Sequence, residues 1–300
     1  MTIANNIIPQ YIIISPVKDE ENYIVNTIES VLSQSILPKM WIIVDDGSID
    51  RTKDIIRKYC NDKNWVKIIC LNRDRERIPG PAVINAFNVG YSEIKHQPFE
   101  YIVKLDGDLE FDKNYFENIF GKFEENEMLG IASGVYHEKE EDEWTRIEMP
   151  SYHAAGACKV IRRKCFDDIG GFELNRGWDT LDEIRAMVRG WQTRHFSDIH
   201  FYHLKKEGSG IGPLRTNFMH GEIYYLTGGS KLFFVFKIIH RSICGHPLIF
   251  ASLSMLYGYM RSFLTRKKRL VSKEEMKFYR NVLNRRIFDN VLSLNILSRG

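Results

Sequence analysis

Residues 101–108 read Tyr101-Ile102-Val103-Lys104-Leu105-Asp106-Gly107-Asp108, an apolar run that ends in two carboxylates one residue apart. A short apolar run stopped by a glycine turn is the pattern of a buried strand reaching the edge of its sheet. Upstream, Trp41-Ile42-Ile43-Val44-Asp45-Asp46-Gly47-Ser48 ends in the same way. Two acid-tipped strands of one parallel sheet aim their carboxylates into one crevice, where open α/β sheets bind ligands. Hard oxygen donors in that place suit Mg²⁺ or Mn²⁺ held against a diphosphate. Asp-Gly alone is ordinary turn chemistry. Its repetition at two strand ends points to an enzyme acting on a metal-bound nucleotide.

Working outward, Tyr11-Ile12-Ile13-Ile14 predicts a first strand. An amphipathic helix over 20–34 follows, with Ile24, Ile28, Val31 and Leu32 on one face. The spacing predicts further helices over 50–59, with Asp50 as N-cap, and over 82–94, and a third strand over 66–71. After residue 108 helices are expected over 112–125, 164–169 and 179–189, with strands over 130–136 and 157–162. Strands that are apolar throughout, each followed by a helix, imply an α/β fold with a mostly parallel sheet and helices on both faces. The expected organisation is one α/β domain over 1–228 and a helical, basic region over 229–300. The domain divides into a nucleotide half of about 1–110 and an acceptor half of about 111–228.

Composition narrows the partners. Lys plus Arg number 42 against 39 acids over 300 residues, and 44% of the chain is hydrophobic. Residues 261–300 hold eleven Lys or Arg and three acids, a net of +8, which leaves the first 260 residues near −5. A basic tail on a mildly acidic body predicts a specific anionic contact and no nucleic-acid binding. Residues 242–260 contain no Asp, Glu, Lys or Arg but are interrupted by His246-Pro247, and Arg266-Lys267-Lys268-Arg269 follow. That arrangement suits an interfacial helix pair on an anionic cytoplasmic leaflet. Five scattered cysteines without a Cys-x-x-Cys argue against a disulfide framework or structural zinc and fit a reducing cytoplasm. The first ten residues carry no basic n-region, so no secretory signal is expected and the localisation reads as cytoplasmic, peripheral on the membrane's inner face.

The order of motifs resembles the family 2 glycosyltransferases, whose fold is the GT-A fold. The segments that carry the resemblance are Ser15-Pro16-Val17-Lys18-Asp19-Glu20-Glu21 with Ile28 to Gln34, then Val44 to Asp50, then Asn88-Val89-Gly90 ahead of Asp106-Gly107-Asp108, and last Ile169-Gly170-Gly171-Phe172 with Gly177 to Glu183. They span residues 11 to about 205. The resemblance implies an inverting enzyme that moves a sugar from a nucleotide-diphosphate donor, a UDP-sugar foremost, to a glycan or lipid-linked acceptor in cell-envelope biosynthesis. It places the nucleoside against Pro16, Lys18, Glu20, Asp46 and Asp106. A carboxylate such as Asp46 can accept the imide N–H of uracil or thymine or a ribose hydroxyl. The divalent cation, Mn²⁺ or Mg²⁺, falls to Asp108, with His203 as a further ligand. The general base falls to Asp179, with Asp182 as second candidate. The family's usual Glu before that Asp is replaced here by Trp178. Arg73, Arg75 and Arg77 form a basic loop beside the expected cleft.

Two rivals use related folds. A sugar-phosphate nucleotidylyltransferase needs a Gly-rich basic loop after strand one, whereas Pro16-Val17-Lys18-Asp19-Glu20-Glu21 has no Gly and three acids. The other is a membrane-surface binding protein with a GT-A fold and no turnover, which the retained acids Asp46, Asp106, Asp108 and Asp179 oppose.

Overall fold

The computed structural model describes residues 9–72, 80–140, 143–206, 208, 211–244 and 247–297. The chain separates into two compact units, Met1–Lys206 and Glu207–Gly300.

In the first unit, β1 (Tyr11–Val17), α1 (Ile24–Leu32), β2 (Met40–Asp45), α2 (Thr52–Cys60), β3 (Val66–Cys70), α3 (Pro81–Ser92) and β4 (Tyr101–Leu105) alternate as expected. β5 (Leu109–Phe111), α4 (Tyr115–Glu124), β6 (Leu129–Glu140), β7 (Glu143–Arg146), β8 (Cys158–Arg162), α5 (Arg163–Ile169), α6 (Trp178–Val188) and β9 (Gln192–His203) follow. The strands form one sheet in the order β3-β2-β1-β4-β8-β6-β9-β5, with β7 beside β6. β3, β2, β1 and β4 are parallel, but β4–β8, β8–β6, β6–β7 and β9–β5 are antiparallel. β6 and β9 also pair in parallel, so the sheet is mixed, with parallel pairings in β3-β2-β1-β4 and again in β6-β9.

Why both faces are covered follows from the strand period of two. Tyr11, Ile13, Trp41, Ile43 and Val103 point to the face packed by α1, α2 and α4. Ile12, Ile14, Ile42, Val44 and Ile102 point to the other, against α3, α5 and α6. Each such fully buried aliphatic side chain contributes about 1.5–3 kcal/mol. Three helix starts come later than the spacing suggests, the third being α4, at Tyr115 and not at residue 112. α1 begins at Ile24, because the Glu20 carbonyl closes a turn with the N–H groups of Tyr23 and Ile24. α2 begins at Thr52 with Arg51 at the N-cap, so Asp50 lies one residue ahead of the position assigned to it.

The second unit consists of α7 (Pro213–Leu226), α8 (Lys231–Cys244), α9 (Leu248–Leu264) and α10 (Lys273–Leu297). The uncharged stretch 242–260 is thus split between two helices. Among the described residues no helix is long and apolar enough to cross a membrane. α8 and α9 run antiparallel: Ser242 Oγ donates to Ser252 Oγ at 2.8 Å, Phe234 stacks on Tyr259, and Lys231 lies over the Phe263 ring. α7 and α9 cross at Gly221 and Gly258, where a Cβ on either would collide with a backbone carbonyl of the other helix.

Candidate active site

The site is built where β1, β2 and β4 end. Pro16 is buried in register with Val44. Lys18 Nζ donates to the Asp46 carbonyl at 3.2 Å, and the Asp46 N–H donates to the Val17 carbonyl at 2.9 Å. The next residues lace the two loops together. The Asp19 N–H donates to Ser48 Oγ (3.0 Å), the Ile49 N–H to Asp19 Oδ1 (2.9 Å), the Glu20 N–H to Thr52 Oγ1 (2.8 Å) and the Glu21 N–H to Asp50 Oδ2 (3.0 Å). Arg51 Nε returns to Glu21 Oε2 at 3.0 Å. Asp45 is fully buried, accepts the Ser48 N–H at 3.1 Å and faces Lys53 at 3.8 Å, so it braces the turn from beneath. Asp46 is the half-buried acid beside it.

Glu20 is buried, and both its oxygens accept from Lys205 Nζ, at 3.1 and 3.0 Å. Its carboxylate ties the segment after β9 to the loop after β1.

Gly107 separates the two acids of the β4 loop because nothing larger fits. A Cβ there would lie 2.8 Å from Val17 Cγ1 and 3.1 Å from Ile24 Cδ1. Asp106 donates its N–H to the Ala157 carbonyl at 2.8 Å, and its Oδ1 accepts from Lys104 Nζ at 2.5 Å. Burial pushes the Asp106 carboxyl up; the Lys104 ammonium opposes this and the like charge of Asp108 adds to it.

Asp108 is 5% exposed, and its Oδ2 lies 3.3 Å from His203 Nε2. His203 Nδ1 lies 3.5 Å from Glu138 Oε1. Register explains the meeting, since His203 on β9 is opposite Leu109 of β5 on one side and Glu138 of β6 on the other. Burial works against charge on His203, but hydrogen bonds to Asp108 and Glu138 prevail and push the imidazole up to about 10. Glu138 had no sequence signal, because it stands in the polar run His137 to Glu143, which reads as a solvated face.

This donor set fits a divalent cation. Neighbouring ligands of an octahedral ion with bonds of about 2.1 Å lie about 3.0 Å apart, close to the 3.3 Å between Asp108 and His203. Asp108 faces Nε2, where a cation would take the place of a proton, and Glu138 faces Nδ1, the usual position of the carboxylate that orients a ligand histidine. Among the described residues no group of three or more His, Cys, Asp or Glu is arranged to hold a metal unaided. Phosphate oxygens and water would have to complete the shell.

On the acceptor side, α6 starts after Gly177, which adopts φ 76°. Asp179 is half-buried in its first turn, with Oδ1 accepting the Thr180 N–H at 3.1 Å. Asp182 and Glu183 face inward, each 1% exposed. Lys159 Nζ, itself 0% exposed, donates to both Asp182 oxygens at 3.0 Å, to Glu183 Oε1 at 3.3 Å and to the Asp179 carbonyl at 2.9 Å. Glu183 also accepts from the Ala154 N–H at 2.8 Å and pairs with His153 Nδ1 at 2.9 Å. Burial pushes Asp182 up to about 7 against the pull of Lys159. Both Asp182 oxygens are thus taken by a buried lysine, whereas the half-buried Asp179 carboxylate accepts only the neighbouring Thr180 N–H among the described residues. Arg73, Arg75 and Arg77 lie outside the described residues.

The profile described as Glycosyl transferase family 2 matches residues 12–240, and the chain belongs to that family and is a glycosyltransferase. It is 34% identical over 124 residues to the minor teichoic acid biosynthesis protein GgaA of Bacillus subtilis (strain 168), covering 40% of this chain and 26% of that one. It is 31% identical over 116 residues to a poly-beta-1,6-N-acetyl-D-glucosamine synthase of Staphylococcus epidermidis, covering 39% and 26%. The matched stretches thus span about a quarter of these relatives. Among solved structures, S. aureus TarS 1–349 in complex with UDP-GlcNAc superposes with a TM-score of 0.55 at 18% identity, over 90% of this chain and 78% of that one. The mannosyltransferase PcManGT from Pyrobaculum calidifontis, in complex with GDP-Man and Mn²⁺, gives 0.53 at 13% identity, over 96% and 81%. Both show the shared fold.

Proposed function

We propose that this glycosyltransferase takes its sugar from a nucleotide-diphosphate donor, a UDP-sugar, and delivers it with inversion to a glycan or lipid-linked acceptor of the cell envelope. The observation that carries the reading is the Asp108–His203–Glu138 arrangement beside Asp106, a donor set suited to a cation that must share its shell with a diphosphate. The complexes of the structural neighbours with UDP-GlcNAc and with GDP-Man and Mn²⁺ support it by analogy of fold. The bound cation would supply Lewis-acid stabilisation of the departing diphosphate. Asp108 and His203 would hold it. Asp46 and Asp106 would orient the nucleoside, with Pro16 and Lys18 shaping the loop beneath. Asp179 would take the acceptor's hydroxyl proton as that oxygen attacks the anomeric carbon from the face opposite the leaving group. Titrating UDP, GDP and dTDP into the protein, with Mn²⁺ and with EDTA, tests this. Metal-dependent binding of UDP alone, lost in Asp108→Ala, is expected; binding of none overturns the reading.

The second unit is proposed to lie on an anionic membrane surface, where a lipid-linked acceptor resides. Leu232, Val235, Phe236, Ile239 and Ile243 are exposed on α8, as are Ile249, Phe250, Leu253 and Tyr257 on α9. Lys231, Arg261, Arg266 and Lys268 cluster at one end of this antiparallel pair, while Lys237 lies over the Tyr224 ring and Arg241 donates to Asn217 Oδ1 at 2.5 Å, an arrangement that suits an apolar face below a basic collar. Lys267 and Arg269 do not join the collar, since Lys267 pairs with Glu222 and Arg269 donates to the Tyr225 carbonyl at 2.6 Å. Co-sedimentation with phosphatidylglycerol vesicles, abolished in Ile243→Asp/Phe250→Asp, is the expected result. Equal pelleting of wild type and variant removes the proposal.

A further inference from the structure

The two halves of the candidate site meet over a pair of buried lysines. β4 and β8 run antiparallel with Lys104 opposite Lys159, so both side chains leave the sheet on one face. They are 3% and 0% exposed. Like charges on neighbouring strands repel unless each finds its own counter-charge. Lys104 turns to the nucleotide side, where Nζ donates to Asp106 Oδ1 at 2.5 Å and to the Gly156 carbonyl at 2.8 Å. Lys159 turns to the acceptor side, where it neutralises Asp182 and also donates to the backbone carbonyl of Asp179 at 2.9 Å. The indole of Trp178 lies in reach of both, 5.3 Å from Lys104 Nζ and 5.4 Å from Lys159 Nζ, within cation–π range. Gly156 closes the circuit, since a Cβ on it would lie 3.4 Å from the Asp179 Cβ and 3.4 Å from the Trp178 ring.

We propose that Lys104, Trp178 and Lys159 are positioning residues that hold the Asp106 carboxylate and the first turn of α6, with Asp179, at one fixed spacing. The proposal rests on the reading of Asp106 as a donor contact and Asp179 as the base. Asp106 sits on a strand end and Asp179 on a helix far along the chain, and sugar transfer requires donor and attacking oxygen to be aligned within a fraction of an ångström. An indole suits the middle position because its face attracts both ammonium groups and carries no charge of its own. A carboxylate at position 178 would compete with Asp106 for Lys104 and with Asp182 for Lys159.

The test is calorimetric UDP binding with Mn²⁺, together with kcat and donor KM, in Asp106→Asn, Lys104→Met, their double variant, Trp178→Glu and Trp178→Phe. Lys104→Met should weaken UDP binding roughly tenfold, the scale of one charge-assisted contact. The double variant should bind no more weakly than Asp106→Asn alone, because the lysine acts through that carboxylate. Trp178→Glu should weaken UDP binding and lower kcat together, and Trp178→Phe should restore both towards wild type. Additive losses in the double variant overturn the proposal alone. So does Lys104→Met lowering the melting temperature with UDP binding intact, which is the mark of a merely structural lysine. Unchanged UDP binding in Asp106→Asn overturns the donor reading and the proposal together.

Discussion

Replacing Glu138 by Gln removes a charge and leaves a hydrogen-bond acceptor of the same shape behind His203. The Glu138 carboxylate and the His203 ring stand 3.5 Å apart. At that separation and an effective dielectric near 20, Coulomb's law gives a gross attraction of about 5 kcal/mol. Much of this is offset by the cost of keeping Glu138 at 5% exposure. What survives in such outer carboxylates is about 10–100-fold in metal affinity, or about 1.4–2.7 kcal/mol. The assay is a titration of Mn²⁺ into protein saturated with UDP, with Asp108→Ala as the variant that should lose the response. Glu138→Gln should raise the apparent Mn²⁺ constant by about one to two decades. An unchanged or tighter constant would refute the reasoning, because His203 would then owe nothing to the acid behind it.

Three further outcomes are expected. Gly107→Ala drives a Cβ to 2.8 Å from Val17 Cγ1, so it should cost about 1–3 kcal/mol in denaturant unfolding and weaken UDP binding as the β1 loop shifts. Lys159→Met leaves Asp182 and Glu183 buried without their ammonium group and should cost about 3–5 kcal/mol, a loss that adding Asp182→Asn reduces; a loss below 1 kcal/mol would show the cluster to be solvated. The pH response of Asp182 has a definite sign. Its folded pKa of about 7 stands above the reference 3.8, so the folded chain retains a proton that the unfolded chain releases across that window. Stability from this group is present below pH 4 and is lost as pH rises towards 7. Wild type should therefore lose ground to Asp182→Asn between about pH 4 and 7 in urea melts, and a flat difference would count against the burial argument.

The first four strands and the paired acids could be read from the chain because β1, β2 and β4 are apolar at nearly every position and stop at turn residues. β9 could not, since a register shift opposite Gly134 and Val135 breaks its alternation midway. Neither could Glu138, whose place beside His203 exists only through strand pairing. Lys104 and Lys159 look like solvent-facing breaks in two strands until the antiparallel register sets them side by side against Trp178. The ion pairs share that cause. Glu20 and Asp182 have the residue type and spacing of ligand contacts, and their pairing with Lys205 and Lys159, distant in sequence, exists only in the fold.

The reciprocal bonds between residues 19–21 and 48–52 bear on any attempt to change the donor. Each loop supplies acceptors for the other's backbone donors, so neither can be regrafted alone without orphaning several N–H groups. Recoding the base preference proposed for Asp46 would therefore mean transplanting both segments as a matched cassette.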